Sequence, residues 1–287
     1  MWVEYESGLK LADGKSIFAD EFQKYVDKRA KTISPVTLKA WQDSANVFKN
    51  YFKRAKINRI NTAVISQYAH DYVDKHHATV SKSSTIAKRL SHMRNFFKSL
   101  DGKVIKGNPV PANALKMFFR QSDFSISQER YIFTPDELAK IRDLIISDLQ
   151  TIDYIPNWIG RLAVLVESYI GMRVNELQAL KFKNIIQIDN KWTFKINNSW
   201  SDYIKDFNGS LKVRPKGYSR TLVPVPEGLI KLLRLFETEQ KEFLENHNYK
   251  NSLDLIFLNL HDHRSVASNI PITQHSINDM LKLICKR

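Results

Sequence analysis

The sequence predicts a mainly helical α+β protein with a small antiparallel β-sheet, divided into two domains. Three observations predict this fold class. Apolar residues recur at helical spacing through most of the 287 residues, which is the pattern of helices that bury one face. Residues 186–225 instead contain short stretches in which polar and apolar residues alternate, as expected of strands. Glycine, proline and polar residues cluster at residues 106–132, where we expect a linker between the domains.

The first domain, residues 16–105, is predicted to contain four helices, and residues 1–15 are predicted to be an N-terminal extension. The helix starts lie near Ile17, at Ser34-Pro35, at Asn61-Thr62 and around Ser83-Ser84-Thr85. Ser34 is a suitable N-cap, and the proline after it is tolerated in the first turn. The fourth helix is expected to end before Gly102, because glycine adopts the left-handed conformation that closes many helices. The apolar residues along these helices are expected to form the core.

The second domain, residues 133–287, begins with the helix signal Phe133-Thr134-Pro135-Asp136-Glu137-Leu138. A threonine followed by glutamate three residues later predicts a capping box, and proline suits the first helical position. Helices are further predicted near residues 135–150, 158–170, 227–246 and 274–286. Strands are predicted at Trp192–Ile196, at Ser219–Val225 and, short and buried, at Leu255–Leu258.

Positive charge is concentrated in the first part of the chain. The protein has 44 Lys and Arg against 30 Asp and Glu, a net charge of +14, and residues 1–130 hold 23 of the basic residues against 12 acidic ones. A solvated surface normally mixes both signs, so this excess predicts a polyanionic partner. The cations expected to contact that partner are Lys39, Lys49, Lys53, Arg54, Lys82, Lys88, Arg89, Arg94 and Lys98.

Residue content argues against several classes of protein. The one cysteine, Cys285, allows neither an internal disulfide nor a cysteine-based metal cluster. We predict no metal and no other cofactor. Acidic residues near the N-terminus and the lack of an apolar run of ~18 residues argue against a signal peptide and a membrane span. We therefore expect a soluble, cytoplasmic protein without a membrane partner.

The residue with the most chemical information is Arg173, in the pattern Gly-x-Arg-x-x-Glu-Leu-x-x-Leu at residues 171–180. A guanidinium offers planar, bidentate hydrogen bonds to phosphate oxygens and stays charged at every working pH. Glu176 lies three residues further on, where it can brace the arginine on the same face of a helix. On chemistry alone, an exposed arginine at a helix start explains the pattern equally well.

This pattern resembles the first conserved box of the tyrosine recombinases, the phage-integrase family. The lead-in at residues 133–138 and the stretch Lys181-Phe182-Lys183-Asn184-Ile185 are similar to that family in the same order, whereas Ile170 differs from the threonine that often precedes the glycine. The resemblance spans about residues 16–287. It implies a four-helix SAM-like core-binding domain and a recombinase catalytic domain, two halves of a clamp round double-stranded DNA. It also implies strand transfer to a tyrosine without metal or nucleotide, with Arg173 catalytic and Glu176 supporting it.

The next family element is a lysine on a β-hairpin, which is implied to protonate the leaving 5′ oxygen. Lys212 and Lys216 are both candidates. We favour Lys216 as the catalytic residue, because Lys216-Gly217 suits a hairpin tip and its distance to Pro224 is similar to that in the family. Lys212 is then expected to contact DNA. The alternative is that both lysines are solvated and bind nothing.

The family's nucleophilic tyrosine should follow a His-x-x-Arg box, yet the last tyrosine of this chain is Tyr249. His261-Asp262-His263-Arg264 has the required spacing. It directly follows a predicted strand and no tyrosine comes after it, so we interpret this match as coincidental. We therefore expect an incomplete catalytic domain, truncated before the second catalytic box, with no nucleophile in this chain.

The resemblance implies site-specific recombination at DNA attachment or core sites, by a form that assembles as a tetramer on paired sites in the nucleoid of a bacterial host. For this chain we expect DNA binding without cleavage. The alternative is a noncatalytic DNA-binding regulator that uses the helical domain alone, for which Arg173 and Lys216 are dispensable. A third class, the metal-dependent nucleases, needs clustered carboxylates, and the sequence contains no suitable acidic motif.

Overall fold

The computed structural model describes residues 13–76, 83–124, 131–212 and 214–287. The chain divides after Arg130 into two units, and each unit has its own hydrophobic core. Residues 1–12 of the predicted N-terminal extension lie outside the described part. The predicted fold class, mainly helical with small antiparallel sheets, is confirmed.

The first unit is helical, and the four predicted helices are confirmed. Its helices are α1 (Phe18–Arg29), α2 (Pro35–Phe52), α3 (Thr62–His76), α4 (Ser83–Leu100) and α5 (Ala114–Phe118), with 3₁₀ turns at Ile57–Arg59 and Gln121–Asp123. Before α2, the Ser34 hydroxyl accepts a hydrogen bond from the Thr37 N–H at 3.3 Å. Before α3, the Asn61 side chain accepts from the Val64 N–H at 3.0 Å. Gly102 follows α4 with a φ of 74°, a conformation that glycine adopts without strain.

Phe18 lies at the centre of the first unit's core. Its ring centroid is 5.0–5.9 Å from the rings of Phe22, Phe48, Phe52, Phe96 and Phe97. These rings come from α1, α2 and α4, so each helix buries its aromatic stripe against the other two. The interlocked rings fix the three helices relative to one another and thereby fix the charged side chains on their exposed faces.

Part of the predicted linker packs inside the first unit. Val110, Ala114 and Phe119 are buried in its core, and α5 packs against α3 and α4. The glycine and prolines at residues 107–111 follow the end of α4 without ending the domain, because the apolar residues after them return to the core. Residues 125–130 of the same predicted linker lie outside the described part of the chain.

The second unit begins with the predicted capping box. The Thr134 hydroxyl accepts from the Glu137 N–H at 3.3 Å, and the Glu137 carboxylate accepts from the Thr134 N–H at 2.8 Å. The helices of this unit are α6 (Pro135–Thr151), α7 (Trp158–Ile170), α8 (Val174–Gln178), α9 (Glu227–Asn246), α10 (His263–Ala267) and α11 (Gln274–Ile284), with 3₁₀ turns at Ile155–Asn157 and Phe182–Asn184. Helix α7 packs against both α6 and α11 and is largely buried between them. The predicted helices of this unit are confirmed.

The strands of the described residues form two separate antiparallel sheets. They are β1 (Ile185–Ile188), β2 (Lys191–Ile196), β3 (Trp200–Ser201), β4 (Asp206–Phe207) and β5 (Arg220–Thr221). The first sheet has the order β1-β2-β5, in which Ile185 pairs with Phe194 and Ile196 pairs with Arg220. Strands β3 and β4 pair with each other in the second sheet. The pairing of β5 with β2 brings Arg220 to the edge of the three-stranded sheet.

The strand predicted at Ser219–Val225 is shorter than expected. Only its residues Arg220–Thr221 form a strand. Beyond them, the N–H groups of Leu222 and Val225 still donate to carbonyls of β2, at 2.9 and 2.8 Å. The ladder is not continuous, because Pro224 has no N–H to donate.

The strand predicted at Leu255–Leu258 is wrong, although its predicted burial is correct. The four residues are fully buried. Leu255 forms a single bridge to Lys181, and Leu258 forms a single bridge to Pro271. Because the two ends pair with different segments, no ladder forms along the stretch.

The part of the chain that the structure describes contains neither a membrane-spanning helix nor a metal cluster. None of its helices is both long and apolar enough to cross a bilayer. No three His, Cys, Asp or Glu side chains within these ranges are grouped so that they would hold a metal ion. The cysteine, Cys285, is exposed.

Candidate functional site

The turn between α7 and α8 presents Arg173 to solvent. Gly171 ends α7 with a φ of 55° and donates its N–H to the Glu167 carbonyl at 2.8 Å, a left-handed cap that favours glycine. Met172 then enters the core, and Arg173 is extended and begins α8. Its side chain is 60% exposed. Gly171 therefore forms the turn that directs the Arg173 side chain into solvent.

Glu176 is a buried carboxylate that holds two arginines. It is 1% exposed and accepts from the Arg173 N–H and from Arg173 Nη1, both at 3.2 Å. Its other contact is Arg220 Nη2, which donates to Oε2 at 2.7 Å. A carboxylate removed from water needs such partners, because an unpaired buried charge is strongly destabilising. The core residues Leu177 and Leu180 anchor the same segment.

These arginines line a cavity of about 370 Å³ in the second unit, which we call the Arg173 pocket. Its lining residues are Arg173, Glu176, Leu211, Lys212, Arg214, Tyr218 and Arg220. Among them are four cationic side chains and one carboxylate, so the pocket carries an excess of positive charge. Such a pocket is suited to bind an anion with several oxygen acceptors, because guanidinium groups donate in planar, bidentate geometry.

Lys216 and Lys212 occupy different positions relative to this pocket. Lys216 is exposed at a turn, in which the Tyr218 N–H donates to the Pro215 carbonyl at 3.3 Å and Gly217 has a φ of 84°. It is not among the residues that line the Arg173 pocket, whereas Lys212 is. The choice of Lys216 as the catalytic lysine stays a prediction.

The predicted hairpin around Lys216 is not formed in the described residues. Strand β4 pairs with β3, and β5 pairs with β2, so the intervening segment joins two different sheets. The turn at Lys216-Gly217 was correctly located, because glycine with a positive φ marks it. Of the two-residue strands on either side, β5 lies within the strand predicted at Ser219–Val225, whereas β4 was not predicted.

Two cations of the pocket were missed by the sequence analysis, Arg214 and Arg220. The Arg214 guanidinium lies 5.0 Å from the centroid of the Tyr218 ring, a cation–π contact that orients it. Arg220 donates a hydrogen bond to Glu176, which lies 44 residues earlier in the sequence. The contact depends on the pairing of β5 with β2.

The first unit presents an exposed cluster of predicted DNA-binding cations. Lys49, Lys53 and Arg54 are exposed and line a cavity of about 500 Å³ at the end of α2, together with Asp20 on α1. Lys53 has a φ of 47°, which turns the chain sharply after the helix. Lys39, Lys88 and Lys98 are also exposed. Lys82 lies outside the described residues.

Arg89 and Arg94 make contacts within the first unit. Arg89 donates to the Asp43 carbonyl at 3.3 Å and to the Tyr72 hydroxyl at 3.2 Å, and the Arg94 guanidinium donates to the Val110 carbonyl. Both side chains are half-buried. These arginines hold α4 against its neighbours, and their predicted role in DNA binding stays a prediction.

The stretch from His261 to Arg264 is built round a helix cap. The Asp262 carboxylate accepts from the N–H groups of Arg264 and Ser265, at 3.3 and 3.1 Å, and so caps the five-residue helix α10. The hydrogen bonds with Ser265 and Arg264 lower the pKa of Asp262 against the opposing effect of burial. None of these four residues lines the Arg173 pocket. The interpretation of the His-x-x-Arg spacing as coincidental stays a prediction.

Comparison with known proteins gives a family-model match within the first unit and a fold for the chain. Residues 19–101 match the family "Phage integrase, N-terminal SAM-like domain". No curated protein matches the chain. Three solved structures illustrate the fold, at 14–17% sequence identity.

The first of these structures is the Tn1549 transposon integrase in complex with transposon right end DNA, with a TM-score of 0.64 and 14% identity over 94% of this chain and 78% of that one. The second is a lambda integrase tetramer bound to a Holliday junction, with a TM-score of 0.58 and 15% identity over 95% and 66%. The third is the XerH site-specific recombinase bound to difH substrate, with a TM-score of 0.57 and 17% identity over 94% and 69%. The chain therefore has the tyrosine-recombinase fold, and residues 19–101 of its helical unit match the SAM-like domain of phage integrases.

Proposed function

We propose that this chain, which has the fold of the tyrosine recombinases, binds double-stranded DNA at a recombination site and holds the scissile phosphodiester in its Arg173 pocket. This binding belongs to site-specific recombination, in which a form that carries the nucleophile transfers the strand through a tyrosine–phosphate intermediate. The observation that carries the proposal is the buried Glu176, which holds the exposed Arg173 in a pocket lined by further cations.

The chemistry of strand cleavage explains why such a pocket is useful. Negative charge builds up on the nonbridging oxygens as the phosphorus becomes pentacoordinate, and a cation that is already in place stabilises this charge without a cost of reorganisation. Glu176 supplies that preorganisation, because it holds Arg173 through both its backbone N–H and its guanidinium. Arg173 is thus proposed to be catalytic and Glu176 to be a positioning residue.

The first unit is proposed to contact the phosphate backbone of an attachment or core site. Its exposed cations at Lys49, Lys53 and Arg54 support this, since lysine and arginine bind DNA phosphates and release counterions. The similarity of this unit to the SAM-like domain of phage integrases supports it too. DNA as the substrate favours a cytoplasmic, nucleoid-associated location.

These 287 residues are proposed to bind DNA without cleaving it. The family resemblance implies a nucleophilic tyrosine after a His-x-x-Arg box, and the last tyrosine of the sequence is Tyr249. Among the tyrosines that the structure describes, Tyr218 lines the Arg173 pocket, and Arg214 lies against its ring. For a form that carries the nucleophile, we propose assembly as a tetramer on paired sites.

The test begins by selecting a duplex for the full chain from a random library at physiological salt, in the presence of competitor DNA. Arg173→Ala should then weaken binding to the selected duplex by about tenfold or more, because a charged contact to phosphate is lost. Lys231→Ala is the matched control, since Lys231 is an exposed cation of the same unit paired only with Glu227 among the described residues. An unchanged affinity of Arg173→Ala would favour the noncatalytic regulator that uses the helical unit alone.

Cleavage is tested with the same selected duplex, nicked near its centre so that a covalent intermediate is trapped. We expect no protein–DNA adduct on a denaturing gel. An adduct would contradict binding without cleavage, and its loss in Tyr218→Phe would identify Tyr218 as the nucleophile.

A further inference from the structure

We propose that Arg220 is a second phosphate-contacting residue of the Arg173 pocket, so that one phosphodiester is bound by the guanidinium groups of both Arg173 and Arg220. This inference rests on the proposed function and deepens it. It adds a residue of β5, outside the sequence pattern around Arg173, to the binding of the scissile phosphate.

The charge balance around Glu176 is the first argument. Arg173 donates to Oε1 of this carboxylate, and Arg220 donates to Oε2. One negative charge thus faces two positive charges at hydrogen-bonding distance, and Lys212 and Arg214 add two more cations to the same cavity. An anion that enters the pocket relieves the repulsion among these cations, so the pocket is set up to bind one.

The free donors of the two arginines are the second argument. In the described part of the chain, Glu176 is the one hydrogen-bond partner of either guanidinium. Each group therefore retains all but one of its N–H donors for a ligand. The side chains of Arg173 and Arg220 are 60% and 39% exposed, which leaves both accessible from the pocket.

The position of the two guanidinium groups is the third argument. They are held on the two oxygens of a single carboxylate, so they lie close enough to reach two oxygens of a single phosphate. Arg220 is fixed at its backbone by pairing with Ile196 and at its side chain by Glu176. Lys212 and Arg214 are exposed and belong to the segment between the two sheets, and no ion pair holds either of them among the described residues. Arg220 is therefore the better-preorganised second contact.

The direct experiment places a phosphate analogue in the pocket. Crystals of the full chain, grown without phosphate or sulfate, are soaked in sodium tungstate, and tungsten is located by its anomalous scattering. We expect a peak within hydrogen-bonding distance of both Arg173 and Arg220. A pocket without tungsten, or tungsten in contact with Arg173 but beyond the reach of Arg220, would overturn the proposal.

Tungstate affinity in solution separates a phosphate contact from a structural role. Arg220→Ala and Arg173→Ala should each weaken tungstate binding by about tenfold or more. Arg220→Lys keeps the ion pair with Glu176 and therefore the fold, but it loses the planar donor geometry of the guanidinium. Its tungstate affinity should lie between that of the wild type and that of Arg220→Ala. Lys231→Ala, which changes an exposed cation of the same unit outside the pocket, is the matched control and should leave tungstate binding unchanged. Folded Arg220 variants that bind tungstate as the wild type does would contradict the inference.

Duplex binding measured in parallel keeps the two proposals apart. If the wild type binds tungstate through both arginines but binds no duplex, the proposed function fails and the anion contact of Arg220 is supported. In the opposite case, the wild type binds duplex, Arg173→Ala weakens that binding, and Arg220→Ala changes neither duplex nor tungstate binding. The proposed function then stands, and the proposed phosphate contact of Arg220 is wrong.

Discussion

Arg287 donates through Nη1 to both carboxylate oxygens of Asp148, at 2.8 Å and 2.6 Å, and so ties the chain after α11 to α6. Asp148 is buried and also accepts from Arg161 Nε at 3.0 Å. Burial by itself would raise the pKa of Asp148, but the hydrogen bonds and charges of Arg287 and Arg161 outweigh it and lower the pKa. The carboxylate is thus an electrostatic link among α6, α7 and the chain after α11.

Replacement of Asp148 by asparagine should destabilise the second unit by about 2–3 kcal/mol, because Arg161 and Arg287 lose their countercharge. The measurement is the free energy of unfolding in urea at pH 7. Glu227→Gln, which breaks the exposed pair with Lys231, is the control and should cost about 0–1 kcal/mol. Equal losses in the two variants would contradict the electrostatic link. Because the pKa of Asp148 is lowered on folding, its contribution should also disappear as the pH falls below its ordinary value of 3.8.

His92 should make the first unit sensitive to mild acid. Its ring is buried, stacked 3.9 Å from the Trp41 ring, and its Nδ1 lies 2.8 Å from the Ser44 hydroxyl. Burial, with the charges of Lys88 and Arg89 next, lowers the pKa of His92 from 6.5 to about 4. The unfolded chain therefore takes up a proton before the folded one does, and the stability from this group is lost as the pH falls from 6.5 towards 4.

The variant that tests this prediction is His92→Gln, measured by urea unfolding between pH 7 and pH 4. Its stability should fall less steeply over this range than that of the wild type, because glutamine does not titrate. Parallel curves for His92→Gln and the wild type would contradict the prediction.

Glu167 should give the second unit the opposite response to pH. Burial raises the pKa of Glu167 from 4.5 to about 7, and within the described ranges no cation pairs with its carboxylate. The folded protein holds this proton more tightly than the unfolded chain, so the stability from this group is present below pH 4.5 and is lost as the pH rises through about 7. Glu167→Gln should therefore be more stable than the wild type at pH 8 and lose this advantage at pH 5. If Glu167→Gln and the wild type differ in unfolding free energy by the same amount at pH 5 and pH 8, burial of the Glu167 carboxyl is not the cause.

Gly171→Ala should cost about 1–2 kcal/mol of stability, because the residue has a φ of 55° and side chains are strained there. A Cβ at this position meets no atom within 4 Å, so the cost comes from the backbone and not from a clash. Gly228→Ala is the matched control: it lies in helix α9, has open space for a Cβ, and should stabilise by about 0.4–1 kcal/mol. Urea unfolding measures both variants. A gain in stability for Gly171→Ala would rule out the left-handed cap.

The features that the sequence predicted well are those fixed within one or two turns of chain. Ser34 caps α2 and the Thr134–Glu137 box begins α6, because each contact joins residues three positions apart. The relation of Arg173 to Glu176 has the same local origin. Helix α5 was missed, because glycine and proline before it are typical of a linker, and only the burial of its apolar side in the folded unit reveals the helix.

The features that escaped prediction depend on contacts between distant segments. Arg220 reaches Glu176 because β5 pairs with β2 for two residues, and such a short pairing leaves no periodic pattern. The choice between Lys212 and Lys216 depends likewise on the path of the segment between two sheets. Leu255–Leu258 has the composition of a buried strand, but its neighbours at the two ends differ.

The segment from Asn208 to Ser219 is anchored to the core of the second unit at one point only among its described residues. In its described residues, Leu211 is the one fully buried side chain, whereas the next residue, Arg220, is tied to Glu176 and to β2. Length and sequence in a stretch with a single apolar anchor are free to diverge during evolution at little thermodynamic cost. The length of this loop can therefore vary with little effect on the stability of the unit, whereas binding constrains its pocket-lining residues Lys212, Arg214 and Tyr218.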